Sequence, residues 1–206
     1  MKETKKSYQY IKFGLMFALL LCYLTPFLFV IINSFKTKKE IILNPLSLPA
    51  TLNFDNYIGA YEKMNFLKAI TNSLIITIIS VVIIVIFSAS TSYYFVRIKS
   101  KFNNVMFGIM VASMIIPFQG IMIPLVSIYG GMGLLNNKFT LIFMYLGFGT
   151  SLAVFMFHGF IKNIPLSLEE AAMIDGANRF RTFTTIVFPL LKPITMTIVI
   201  LDVLWI

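Results

Sequence analysis

Four apolar runs, each long enough to cross a bilayer, constrain this chain more than any other feature: Phe13–Ile32, Ile70–Val96, Val105–Tyr129 and Phe139–Phe160. About 20 consecutive apolar residues in a helix cover the hydrocarbon core. Lipid offers no partner to a backbone amide or carbonyl, so such runs must fold as helices that satisfy their own hydrogen bonds. A fifth run begins near Pro193 and reaches Ile206, about two-thirds of a span. The expected fold is therefore all-α: a polytopic transmembrane helical bundle, one domain over residues 1–206, truncated within its fifth span. A fragment, a frameshifted gene or an incomplete chain would each produce that ending. An ordinary soluble domain is excluded, because only 12% of residues are charged against about 25% in globular chains.

The charges that remain are placed in a pattern. Four lysines precede the first run, Arg97, Lys99 and Lys101 follow the second, and Lys162, Arg179, Arg181 and Lys192 follow the fourth. These alternate segments hold 11 of the 17 basic residues, and the positive-inside rule puts them, with the N-terminus, in the cytoplasm. Lys36, Lys38 and Lys39 weaken the pattern from the outer segment. The net charge of +9 then reads as topology and attraction to an anionic leaflet, with no nucleic-acid partner expected. The basic tail before Phe13 resembles the start of a signal peptide, but the run behind it spans a bilayer and no A-x-A-like site follows, so it reads as a retained helix. Cys22, the single cysteine, allows no internal disulfide. Residues Tyr57–Lys68 mix apolar and charged side chains and read as a short interfacial helix.

Between the fourth and fifth runs lies a stretch with different chemistry. Ser167-x-x-Glu170 has the spacing of a capping box, and Pro165 with Glu169 and Glu170 suits a first helical turn. Leu168, Ala171, Ala172 and Asp175 recur at helical spacing on one face. Gly176 permits the left-handed residue that ends such a helix. A small-residue face of this kind suits seating in a groove of another protein; an ordinary capped loop helix is the plainer alternative.

The longer order Glu170-Ala171-Ala172-x-x-Asp175-Gly176-Ala177, then Phe183 and Pro189-Leu190-Leu191-Lys192-Pro193, resembles the "EAA" coupling loop of ABC importer permeases. The Asp-Gly pair and the Pro-Leu-Leu-Lys-Pro ending resemble the carbohydrate-uptake branch, in particular the maltose-type second permease. Asn72-Ser73-Leu74, Pro117, Pro124-Leu125 and Gly133-Leu134-Leu135-Asn136 extend the likeness over most of residues 10–206. The resemblance implies a permease subunit of a bacterial importer for a sugar, an oligosaccharide or glycoside, in the cell membrane. Residues 163–192 would be its coupling loop, with Glu170, Ala171, Ala172, Asp175, Gly176, Ala177 and Pro189 meeting the ATPase. Implied partners are ABC ATPase subunits, a second homologous permease, an extracellular solute-binding protein and membrane lipids. Alternatives are a permease for a non-sugar solute, an ion-driven secondary transporter and a truncated remnant that transports nothing.

No cofactor or metal is expected and no catalysis by this subunit, since the chain holds no G-x-x-x-x-G-K-[ST], metal-spaced cluster or nucleophile elbow. Polar residues inside spans are the candidates for a substrate path: Gln119 between two prolines, Asn72 opening the second span and Asp202 in the fifth run. Ser88–Ser92 reads as a close helix–helix approach. Pro117 and Pro124 are expected to kink the third span, and His158 to sit at a helix end.

Overall fold

The computed structural model describes residues 2–206, with side chains from residue 9 onward; Met1 and the side chains of Lys2, Lys5 and Lys6 in the basic tail lie outside the described residues. Every regular element among the described residues is helical. Three helices are long and apolar enough to cross a membrane, and up to five spans result if each of two sharply bent helix pairs counts as one. The chain divides into two compact units, residues 1–70 and 71–206.

The first unit opens with α1 (Lys2–Ser34), whose residues 9–31 are all exposed. A helix apolar on all sides needs lipid or another chain against it. Beyond it the backbone builds a small polar knot around Lys36, which is fully buried and donates from Nζ to the carbonyls of Asn44 (3.0 Å) and Pro45 (3.2 Å). Asn56 Nδ2 donates to the carbonyls of Ser34 and Lys36, and Phe35, Phe54 and Tyr57 pack ring on ring beside it. Lys36 thus holds this loop together through its side chain.

A capping box does occur here. At the start of α2 (Lys38–Leu43), Thr37 Oγ1 accepts from the Glu40 amide, and the Glu40 carboxylate accepts from the Thr37 amide and hydroxyl. Hydrogen bonds from the Thr37 amide, then its hydroxyl, hold the Glu40 carboxyl below the ordinary range. The interfacial helix expected over residues 57–68 is shifted: α3 covers Asp55–Lys63, and the chain then turns at Asn65, with φ +47°. Asparagine tolerates that left-handed conformation, and α4 (Phe66–Arg97) begins directly after it, four residues before the expected span.

In the second unit α4 packs with α7 (Lys138–Ile161) and α11 (Lys192–Trp205). Val81, Ile84, Val85 and Ala89 meet Ala153, Phe157 and Ile161, and Leu191 and Ile198 close the same cluster. Small residues permit the approach: Ser88, Ala89 and Ser92 are buried, and Ser92 Oγ donates to the Val154 carbonyl at 3.0 Å. The run Ser88–Ser92 therefore mediates packing, as its composition predicts.

The expected third span is broken. It consists of α5 (Lys101–Ser113) and α6 (Phe118–Gly131), bent by 98°. The break falls over residues 114–117, immediately before and at Pro117, where proline bars its predecessor from helical geometry. Pro124, the other expected kink, lies inside α6. α5 is tied to α7 by the Ser113–Ser151 hydroxyl pair (2.8 Å) and by His158 stacked on Phe107.

The tightest point of this unit is Gly149 on α7. A Cβ there would lie 2.6 Å from Ile84 Cδ1 and 3.4 Å from Asp202 Oδ1, so α4, α7 and α11 converge on an absent side chain. Ile84 is itself fully buried and has no room to yield. Gly149→Val is expected to cost about 1–3 kcal/mol through overpacking, whereas Gly147→Val, with open space around it, should stay within about 0.5 kcal/mol. Thermal unfolding of the two purified variants in one detergent checks this, and equal midpoints would contradict the packing described.

Candidate coupling site

The segment between α7 and α11 folds as a helix, a tight turn and a second helix. α8 (Leu166–Ile174) starts behind Pro165, whose extended backbone supplies the non-helical residue at the cap position. The capping box expected at Ser167 and Glu170 does not form, because Ser167 lies inside the helix and no side chain caps the start. The far end closes as expected at Gly176. With φ +83° there, the Ala177 amide donates to the Ala172 carbonyl (2.9 Å) and the Gly176 amide to Met173 (3.1 Å). That pair of bonds is a Schellman turn. Asn178 then caps α9 (Arg179–Thr182) by accepting from the Arg181 amide.

A π-helical turn, Phe183–Val187, follows and leads into α10 (Phe188–Leu190). Pro189 has no amide, and its ring would meet the carbonyl of Thr185 in a regular helix; the wider turn relieves that conflict. Leu191 and Pro193 open α11, bent by 74° from the segment before it.

One residue fastens α8 to the bundle. Glu169 is 1% exposed, while its neighbour Glu170 is open to solvent. Its carboxylate accepts from Arg97 Nε (2.7 Å) through Oε1 and from the Tyr93 hydroxyl (2.8 Å) through Oε2. Arg97 Nη2 also lies 2.6 Å from Oε1, which makes this the one ion pair among the described residues. The same Nη2 donates to the Ile164 carbonyl (3.1 Å), in the turn just after α7, and more weakly to that of Ile161 (3.4 Å), the last residue of α7. The ring of Tyr93 packs at a tilt against Phe183, and Phe183 at a tilt against Phe188. A cavity of about 350 Å³ lies alongside, lined by Tyr93, Tyr94, Arg97, Met173, Arg179 and Phe180 among others.

The residues singled out in the sequence are distributed unevenly around this anchor. Glu170, Ala171, Asp175, Gly176 and Pro189 are exposed, and Ala172 and Ala177 are half-buried. Leu168 is exposed as well, so the expected small-residue face is open to a partner over most of its length. The three candidates for a substrate path do not converge. Gln119 is exposed at the start of α6. Asn72 accepts from Lys138 Nζ (2.6 Å) beside a second cavity of about 310 Å³. Asp202 is buried against Gly149, and its Oδ2 has no hydrogen-bond partner.

The sequence and the fold can be set beside known proteins. The family described as binding-protein-dependent transport system inner membrane component matches residues 82–206. The chain belongs to that family. It is 48% identical over 186 residues to the probable starch degradation products transport system permease protein AmyC of Thermoanaerobacterium thermosulfurigenes, covering 90% of this chain and 68% of that one. It is 33% identical to the multiple sugar-binding transport system permease protein MsmG of Streptococcus mutans, over the whole of this chain and 74% of the relative. A crystal structure of a bacterial ABC transporter involved in the import of the acidic polysaccharide alginate superposes with a TM-score of 0.84. That match has 24% identity and covers 98% of this chain and 71% of that one, which establishes the permease fold.

Reading the permease sequence alone puts Glu169 in the first turn of a helix and misses that it is the buried anchor. Tyr93 and Arg97 are missed too. The available signal is their i, i+4 spacing at the end of an otherwise apolar span. Within the turn itself, Gly176→Ala is expected to cost about 1–2 kcal/mol, the strain of a left-handed residue with a Cβ. Limited proteolysis between α8 and α9 should then proceed at least about fivefold faster than in the unaltered permease, and an unchanged rate would show that the turn carries no strain.

Proposed function

We propose that this chain is a permease subunit of a bacterial ATP-driven importer that carries an oligosaccharide or glycoside, and that α8 is the element on which the ATPase seats. The observation that carries the docking reading is the exposed face of Glu170, Ala171 and Asp175 on a helix anchored from behind by Glu169. Small side chains let a groove of another protein close on the helix backbone, and Gly176 ends the helix before it would outrun such a groove. The sugar class follows from the relatives, which are described as permeases for starch degradation products and for multiple sugars.

Energy comes from a partner in this reading. Two ABC ATPase subunits, a second homologous permease and an extracellular solute-binding protein complete the importer, and the sugar crosses unchanged. The basic segments after α4 and α7 face the cytoplasm with the N-terminus, which puts α8 on the side where ATP is found. Gln119, Asn72 and Asp202 are proposed to border the path. Gln119 lies beside the 98° break, where a bent helix suits a cavity wall, and the unpartnered Asp202 oxygen awaits a polar group.

The test is purification of the tagged full-length permease from its native membrane, with identification of what accompanies it. An ATPase, a second permease and a sugar-binding protein are the expected companions; recovery of the chain alone would refute the importer reading. Ala171→Arg places a bulky charge on the docking face, so ATPase recovery and sugar uptake should each fall at least about tenfold, the effect of ~1.4 kcal/mol at an interface. Normal ATPase attachment in that variant would remove the docking role from α8.

A further inference from the structure

We infer that Tyr93, Arg97 and Glu169 form the joint that passes movement of α8 to the membrane span α4. They are positioning residues and take no part in the surface that grips the ATPase. The inference rests on the docking role proposed for α8 and adds how that helix is linked to the pathway.

The two glutamates of α8 meet different surroundings. Glu170 is exposed on the docking side, and Glu169 is 1% exposed on the side of the bundle. Seven of the nine α8 residues are exposed, so little apolar packing holds this helix to the spans. The cavity beside Met173 and Phe180 leaves that packing incomplete. What remains is directional. Tyr93 and Arg97, one helical turn apart on α4, each hold a different oxygen of the one carboxylate. Two donors on one rigid helix fix both the position and the rotation of the group they grip, which apolar contact does not do. Arg97 reaches the end of α7 with the same guanidinium, so displacement of α8 pulls on two spans together.

The pair can be tested by distance in the assembled importer carrying full-length permease. Spin labels go on cysteines introduced at Ser167 on α8 and Ile86 on α4, both exposed, in a Cys22→Ser background. Their separation is measured by pulsed electron resonance without nucleotide and with ATP trapped by vanadate. In the unaltered pair the separation is expected to be the same in both states. In Glu169→Gln, and less so in Tyr93→Phe, it should shift or broaden by more than about 2 Å on trapping, the scale of helix shifts at switching interfaces. ATPase recovery should stay unchanged in both variants.

A separation that already changes between states in the unaltered permease would overturn the joint. So would Glu169→Gln behaving as the unaltered pair does. Loss of the ATPase from Glu169→Gln would overturn it also, since the pair would then be building the grip. Absence of the ATPase from the unaltered complex is a different result and counts against the docking role itself.

Discussion

The carboxylate of Glu169 is buried in its ion pair with Arg97. Removing one partner of a buried ion pair costs about 3–5 kcal/mol, because the remaining charge is left without compensation. Glu169 therefore commits the chain to a particular arrangement: α8 must lie where Arg97 and Tyr93 can reach it, and Arg97 must lie where the end of α7 can share its donors. One side chain thus locates α8 and the end of α7 against α4, a span that lies much earlier in the sequence. The interaction is also selective in a way that leucine packing is not, since a guanidinium and a phenol donate well to a carboxylate only over a narrow range of distances and angles.

The rest of the second unit uses the opposite device. Around Gly149 the helices α4, α7 and α11 approach through absent or small side chains, with Ser88, Ala89 and Ser92 on one wall. Packing of this kind is close yet has few directional bonds; the hydroxyl of Ser92 supplies one and that of Ser88 supplies none within the described residues. The two devices divide the unit: close packing in the bundle, directional bonds at the rim where α8 meets α4.

Much of this was legible in the sequence, for stated reasons. Span lengths follow from apolar runs, and α7 matches its expected run within a residue at each end. Gly176 follows from its position after a helix face, since only glycine takes φ +83° without strain. What failed were inferences from spacing alone. Ser167-x-x-Glu170 satisfies a pattern that Pro165 prevents from operating, because the cap belongs to the residue with extended backbone and that residue is the proline. The same pattern at Thr37-x-x-Glu40 does cap, since Thr37 is extended. Of two prolines in the third span only Pro117 stands at the break, while Pro124 lies inside α6, a difference that their spacing does not reveal.

Glu169 and Glu170 show the limit most sharply. In sequence they are adjacent acids in a first turn, and the family motif begins at the second. A helix turns each residue about 100° from the last, so the two side chains leave α8 in different directions, and only one of them meets the bundle. Which one depends on the rotation of α8 against α4, and that rotation is set by Arg97, 72 residues earlier. No local pattern contains this information. The family motif covers the exposed residues of α8, whereas the anchor is the buried one just before it, so a reader of the motif alone finds the exposed side of the helix and not what holds it to the spans.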